Sequence, residues 1–298
     1  MIWGGSLSAN ALLFTFGGDF ISPGANGTPD SLNRTDPASA ASVTDVQTPV
    51  GNGDTGFNGG LAAVNNLLYG IGNDSSGVAT LYSLQTTGLG LTAVSSNFNN
   101  AGDAAGVVFQ NGLTAVGNTF YAIGAGASTE DLYQIGSGSA THIASLPTFT
   151  GTYAGLAWDP ALGDFYAIVA GGTSVDFNGD FLVRFQFGGS VSIVANLTNL
   201  DGAQVGTHLG GLADAGGGIL YDIYTNPVTS TGVLEQINLN GTPSVTTLYD
   251  TQIPLAQNAG IALITPEPST GMEIVCGLVL LSWILRARRH FKDETRRI

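Results

Sequence analysis

The feature that most constrains the fold of this chain is a glycine-led unit that recurs along it. One copy reads GLAAVNNLLYGIG from Gly60, the next GLTAVGNTFYAIG from Gly112, a third GLAWDPALGDFYAIV from Gly155 and a fourth GLADAGGGILYDIY from Gly211. Each is followed by a second apolar run: LYSL at Leu81, LYQI at Leu132, FLVRF at Phe181 and LEQI at Leu234. A last fragment, GIALI, starts at Gly260. The leading glycines stand 52, 43, 56 and 49 residues apart, too irregular for a strict solenoid but suited to radial units joined by variable loops.

Each unit holds four short apolar runs, the fourth being a weaker one such as LTAVSS, THIASL, VSIVANL or SVTTLYD. Four short strands per repeat is the arithmetic of a β-propeller blade. Alternation in Leu68-Tyr69-Gly70-Ile71 and Phe120-Tyr121-Ala122-Ile123 places Tyr and Ile on one face of a strand, while the leading glycine lets inner strands crowd towards an axis. Between the first two strands fall Asn65-Asn66, Gly117-Asn118, Gly163-Asp164 and Gly217-Gly218, residue types that accept the positive φ of tight hairpins. GSLSANALLFTFG from Gly5 aligns without gaps with the copy at Gly60, and a last strand of that unit is expected around Ala41 to Val46, after the polar stretch Ser22 to Asn33.

The expected fold is therefore all-β, a β-propeller of five four-stranded blades over residues 1–265. In that arrangement Gly260 to Ile264 joins the N-terminal blade and closes the ring, which removes exposed strand edges. The alternative is six blades, with residues upstream of Met1 completing the sixth.

Composition narrows the function. Of 298 residues 43% are hydrophobic and 10% charged, enough for a sizeable core. Up to Gly271 the only basic residues are Arg34 and Arg184, against 19 acids. Such a surface repels phosphate backbones, so no nucleic-acid partner is expected. Scarce lysine with abundant Asn, Thr, Ser and Gly is the composition of an extracellular bacterial protein. The one cysteine, Cys276, lies in the apolar tail, which leaves the body without disulfides or a thiolate metal site. His142, His208 and His290 are scattered singly, and their spacing contains no zinc constellation.

The candidate sites in the body are few. In VDFNGDF, Asp176, Asn178 and Asp180 occupy alternate positions of a D-x-N-x-D calcium loop, but Phe181 and Phe187 stand where an EF-type loop wants Gly and Glu, and a solvated polar hairpin is the stronger reading. Trp158 reads as blade packing before ligand platform, and Asp159-Pro160 as a turn. Glu130 and Asp131 are adjacent, so their carboxylates are expected to point apart into solvent. Asn26-Gly27-Thr28 has the form of a glycosylation sequon, which carries little weight if the cell is bacterial. No G-x-S-x-G, P-loop, H-E-x-x-H or dinucleotide fingerprint occurs. No cofactor and no catalytic activity are expected.

The ends of the chain supply the remaining signals. MIWGGSLSANALLFTFGGDF carries no Lys or Arg and reads as a strand of the body, so an export signal is expected upstream of Met1. At the other end Pro266-Glu267-Pro268 precedes the apolar run Ile274 to Leu285, which is followed by Arg286, Arg288 and Arg289. The run is short beside the roughly 20 residues of a spanning helix, a gap that snorkelling arginines and bilayer thinning can close. A buried core helix is the weaker reading, because a core helix seldom carries a dense cationic cap at the chain terminus.

The three-part order of motif, apolar segment and arginine cluster resembles the PEP-CTERM sorting domain of Gram-negative, exopolysaccharide-producing bacteria. That resemblance covers residues 266–298 and implies a division of labour. Pro266, Glu267 and Pro268 would be recognised by an exosortase, a transpeptidase-like membrane enzyme. Ile274 to Leu285 would form a single transmembrane helix in the inner membrane, and Arg286, Arg288 and Arg289 would hold the C-terminus in the cytoplasm. The body would stand outside the cytoplasm and, after processing, at the cell surface or in the medium. The resulting expectation is a sorted, non-catalytic binding or structural module among exopolysaccharide or in biofilm. The alternative is a secreted propeller lyase or hydrolase acting on polysaccharide, with carboxylates gathered at one mouth of the ring.

Overall fold

The computed structural model of the chain describes residues 12–17, 31–37, 39–47, 54–57, 60–74, 76–87, 90–109, 112–126, 129–173, 178–254 and 260–264. Contacts divide the chain into two units, Met1–Ile264 and Thr265–Ile298. The second unit, with the sorting motif, the apolar run and the arginine cluster, lies outside the described residues, as do Met1 to Ala11, Asn26-Gly27-Thr28 and Asp176. Among the described residues no helix is long and apolar enough to cross a membrane.

The body is an all-β propeller of antiparallel sheets. Strands β1 (Leu12–Gly17), β2 (Ser31–Asp36) and β3 (Ser39–Gln47) belong to the first sheet. The second holds β4 (Asp54–Gly56), β5 (Leu61–Val64), β6 (Leu67–Asp74), β7 (Ala79–Gln85) and β8 (Thr92–Ser95). The third comprises β9 (Leu113–Val116), β10 (Thr119–Ala125), β11 (Glu130–Gly136) and β12 (Ser139–Ser145). The fourth comprises β13 (Thr152–Asp159), β14 (Asp164–Thr173), β15 (Asn178–Phe185) and β16 (Val191–Asn196), and a short helix, α1 (Leu197–Asp201), follows it. The fifth comprises β17 (Leu212–Gly216), β18 (Ile219–Thr225), β19 (Thr231–Asn238) and β20 (Ser244–Pro254). Finally β21 (Ile261–Ile264) pairs with β1, with Leu13 opposite Leu263, so the C-terminal strand completes the N-terminal sheet.

The leading glycines explain how the ring closes. A Cβ on Gly112 would stand 2.6 Å from the Gly155 carbonyl carbon, one on Gly155 2.7 Å from the Leu212 nitrogen, and one on Gly211 2.7 Å from the Gly260 Cα. Gly260 meets the Gly60 carbonyl carbon at 2.7 Å, and Gly60 meets that of Gly112 at the same distance. No side chain fits at any of the five positions, and all five residues have positive φ, between 64° and 130°. Inner strands β5, β9, β13, β17 and β21 contact one another in that cyclic order.

The core follows from the alternation of each strand. Among the described residues the buried side chains fall into five apolar clusters, each filling the seam between two neighbouring sheets. On β10, Phe120 and Ala122 face the second sheet while Tyr121 and Ile123 face the fourth. On β18, Tyr221 and Ile223 face the closing sheet with Leu13 and Ile261, while Leu220 faces the fourth with Ile168 and Leu182.

The first hairpin of each unit forms where the turn residues predict it. Asn65 and Asn66 both take positive φ, as does Gly117 in the next unit and Gly216 to Gly218 in the fifth sheet. In the fourth sheet the turn is longer: Asp159 accepts hydrogen bonds from the Ala161 and Leu162 amides, and Gly163 supplies the positive φ.

Three elements differ from the expectation. Ser31 to Asn33, read as part of a polar stretch, begin strand β2, where Leu32 is buried beside Phe14 and the ladder to β1 outweighs weak local propensity. Strand β4 is an addition to the four-run unit; β5 pairs only with Leu67 to Gly70, and β4 takes the free edge of β6 at Asn73 and Asp74. Leu197, read as the end of the VSIVANL run, enters α1 instead, because Asn196 caps the helix by accepting from the Asn199 amide at 3.0 Å and Gly202 ends it at φ 74°.

Candidate functional site

Two places gather chemistry. The first is a cavity of about 130 Å³ on the ring axis, lined by inner-strand residues of every sheet. Its walls are mostly Leu, Ile and Ala, relieved by Thr114, Trp158 and Asp214. Among the described residues Asp214 is the only lining carboxylate. Its Oδ1 is buried without a hydrogen-bond partner. Burial pushes this carboxyl up to about 6; the Gly216 amide opposes the shift and the Asp159 charge adds to it. Trp158 is half-buried and packs on Phe165 at 4.7 Å and Phe187 at 5.6 Å between ring centroids, so it fills the blade, as expected, and is also one of the residues lining the cavity.

The second place is the seam between the fourth and fifth sheets. Asp180 on β15, Asp222 on β18 and Glu235 on β19 continue the inward-facing rows of Leu182, Leu220 and Ile237. The connection after α1 then inserts His208 among them, fully buried. His208 Nδ1 lies 2.7 Å from Asp180 Oδ2, and Nε2 lies 2.8 Å from Asp201 Oδ2. Nε2 is also 3.7 Å from both Asp222 Oδ2 and Glu235 Oε2.

Asp180 is saturated. It accepts from the amides of Gly171 (2.6 Å), Gly206 (2.7 Å), Thr207 (3.1 Å) and His208 (3.2 Å) as well as from the imidazole. Burial alone would raise its pKa, but the hydrogen bond from His208 and these amides hold it below the usual carboxylate range. For His208 burial disfavours the charged ring, yet the hydrogen bonds to Asp180 and Asp201, with Glu235 and Asp222 nearby, hold its pKa well above the ordinary value.

Asp222 is the opposite case. It is fully buried, and neither of its oxygens accepts a hydrogen bond of acceptable distance and angle. Burial pushes it up to about 7; His208 opposes the shift, and the Glu235 and Asp201 charges reinforce it. Glu235 accepts from the Thr247 hydroxyl at Oε1 (2.8 Å), while Oε2 has no hydrogen-bond partner. Donor atoms of Asp201, His208 and Glu235 lie within 4.8 Å of one another, a spacing at which three side chains can share one cation.

Several sequence expectations meet their outcome here. Asn178 and Asp180 do stand in a hairpin, that of β14 and β15, but only Asn178 is solvated; Asp180 turns inward to hold the next inter-blade connection. Glu130 and Asp131 do point apart, but not into solvent. The Glu130 carboxylate accepts from the Tyr153 amide at 3.1 Å, and Asp131 is buried, 3.8 Å from the His142 ring. His208, read as a lone histidine, stands among four carboxylates drawn from β15, α1, β18 and β19. Local spacing could not reveal that group, because 55 residues separate Asp180 from Glu235.

Comparison with known proteins supports the fold. No family model matches the chain, and no curated protein matches its sequence. Among solved structures, an α-L-arabinofuranosidase from Clostridium thermocellum is similar at 15% identity and a TM-score of 0.54, over 85% of this chain and 94% of that one. A nidogen/laminin complex matches at 15% identity and a TM-score of 0.46, over 78% and 76% of the two chains. The Aleuria aurantia lectin bound to a fucosylated sugar matches at 11% identity and a TM-score of 0.46, over 76% and 73%. The likeness that bears on the fold is that to the arabinofuranosidase, and at 15% identity it is a likeness of architecture alone.

Proposed function

We propose that the chain is an exported β-propeller whose body is a non-catalytic binding module at the cell surface, and that residues 266–298 are its sorting signal. In this reading the five sheets form a complete five-bladed ring. An exosortase-type enzyme recognises Pro266, Glu267 and Pro268, Ile274 to Leu285 cross the inner membrane as a helix, and Arg286, Arg288 and Arg289 remain on the cytoplasmic side.

The observation that carries the binding reading is the lining of the axial cavity. Trp158 and Asp214 are its aromatic and its acidic lining residues, and its accessible wall is more polar than apolar, because the Leu, Ile and Ala side chains of the inner strands turn away into the seams. A concave site with a few placed polar groups is where a small ligand is oriented. The usual two-carboxylate mechanism of glycoside hydrolysis needs a second acid across the scissile bond, and among the described residues only Asp214 lines this cavity. A sugar unit of exopolysaccharide is the ligand class that suits an aromatic residue and a hydrogen-bonding carboxyl in one cavity.

The second reading, a secreted propeller hydrolase or lyase, is favoured by the raised pKa of Asp214, which is the property of a general acid or base near neutral pH. A glycan-binding screen on the full chain, run beside an assay for reducing ends released from the same glycans, separates the two. Binding without release, weakened about tenfold or more by Trp158→Ala, supports the module. Release abolished by Asp214→Asn moves the assignment to the enzyme, and the absence of any glycan binding removes exopolysaccharide as the ligand.

A further inference from the structure

The His208 cluster contains more acid than one imidazole can satisfy, and it is sealed from water. We propose that His208, Asp201, Asp222 and Glu235 bind one divalent first-row cation of the zinc or manganese class, which clamps the connection between the fourth and fifth sheets.

Three independent observations meet at this point. The first is orientation. The Nδ1–H of His208 is aimed at Asp180 Oδ2, 2.7 Å away, and Asp180 is itself fixed by four backbone amides. A carboxylate that accepts from one ring nitrogen while the other faces the ion is the usual support of a metal-binding histidine. Asp180 is accordingly a positioning residue and not a ligand.

The second is spacing. Nε2 faces Asp201 at 2.8 Å and Asp222 and Glu235 at 3.7 Å each. Donors placed ~2.1 Å from a tetrahedral cation stand about 3.4 Å apart. The donor atoms of Asp201, His208 and Glu235 lie within 4.8 Å of one another, so the cation fits among these three once the Asp201 contact opens by about 0.6 Å, and Asp222 turns in to complete the set.

The third is the orphaned acceptors. Asp222 is fully buried with no hydrogen bond of good distance and angle at either oxygen, Glu235 Oε2 has none either, and Asp222 Oδ2 and Glu235 Oε2 each lie 3.7 Å from Nε2. Buried carboxylates are paired or coordinate metals, because an unpaired one is strongly disfavoured. Among the described residues the only cationic group close to them is His208, already shared by Asp180 and Asp201. One imidazole with three carboxylates selects zinc or manganese over calcium, which takes oxygen ligands.

Because the donors are closed to solvent, the cation enters as the chain folds. The test begins with the untagged full chain isolated from cells grown with both zinc and manganese, whose metal content is measured by mass spectrometry. About one zinc or manganese per chain is expected. Unfolding in urea with a chelator and refolding in metal-free buffer is expected to lower Tm, and refolding with Zn²⁺ or Mn²⁺ at about 100 times Kd to raise it by roughly 5–10 °C. Co²⁺ refolded in their place reports the coordination by its visible absorption.

Asp222→Asn removes a ligand while reducing buried charge, so it is expected to fold and to bind at least ~100-fold more weakly, and Asp180→Asn ~10–100-fold more weakly. Asp214→Asn, in the axial cavity, keeps full metal content. A wild-type chain with no bound metal and no Tm response to Zn²⁺ or Mn²⁺ overturns the proposal. So does preference for Ca²⁺ over both, or a folded Asp222→Asn chain with unchanged affinity.

Discussion

Gly260 lies against Gly60, two hundred residues away in sequence, so closely that a Cβ on Gly260 would stand 2.7 Å from the Gly60 carbonyl carbon. This contact joins the last inner strand to the first and turns a row of repeats into a ring. Gly155→Ala and Gly260→Ala are each expected to lower stability by about 3 kcal/mol or more, from left-handed backbone strain plus a clash with backbone that cannot move aside. Gly138→Ala also has positive φ, but open space surrounds it, so its loss is expected near 1 kcal/mol. Urea midpoints at constant m-value make the comparison.

Asp214 ties stability to pH. Its folded-state pKa, about 6, lies above the unfolded value of 3.8. The folded chain therefore keeps a proton that the unfolded chain releases first. This contribution to stability is full below about pH 4 and is lost as pH rises through 6. Asp214→Asn lacks it, so the wild type should lose Tm relative to the variant between pH 4 and 7, and the variant should be the more stable of the two at pH 8. Parallel curves from pH 4 to 8 would place the carboxyl in an ordinary environment.

Phe165 is the packing centre behind the cavity wall. It is fully buried and touches the rings of Tyr121, Trp158, Phe185 and Phe187, with centroids at 4.7–5.6 Å. Phe165→Ala is expected to lower stability by about 3–5 kcal/mol, and Phe165→Leu by about 1–1.5 kcal/mol. Because Trp158 rests on this ring, even the milder variant should change tryptophan fluorescence in the folded state.

The sorting proposal is checked in an exopolysaccharide-producing host that carries an exosortase. Replacing Pro266, Glu267 and Pro268 together by Ala is expected to leave the chain unprocessed and membrane-associated, while the purified body keeps the wild-type Tm. Release and processing at the wild-type level would remove the motif from any role in sorting.

The propeller could be read from local chemistry because its rules act at short range. Alternating apolar runs define strands, Asn65-Asn66 and Gly217-Gly218 define turns, and a glycine at the head of each unit marks the place where backbones meet. Those same glycines, at 60, 112, 155, 211 and 260, are the ones in contact around the axis. Strands β2 and β4 were not legible because their places come from a partner edge and not from their own residues. Neither the axial cavity nor the His208 cluster has a local signature. Trp158 and Asp214 line one cavity only because the inner strands of two sheets turn towards one axis. Asp180, Asp201, His208, Asp222 and Glu235 meet only because the seam between two sheets is filled from both sides and from the connection between them. The sequence by itself determined the repeat, the turns and the acidic character of the body. The tertiary structure alone decided which carboxylates became buried and unpaired, because burial and pairing depend on how sheets pack.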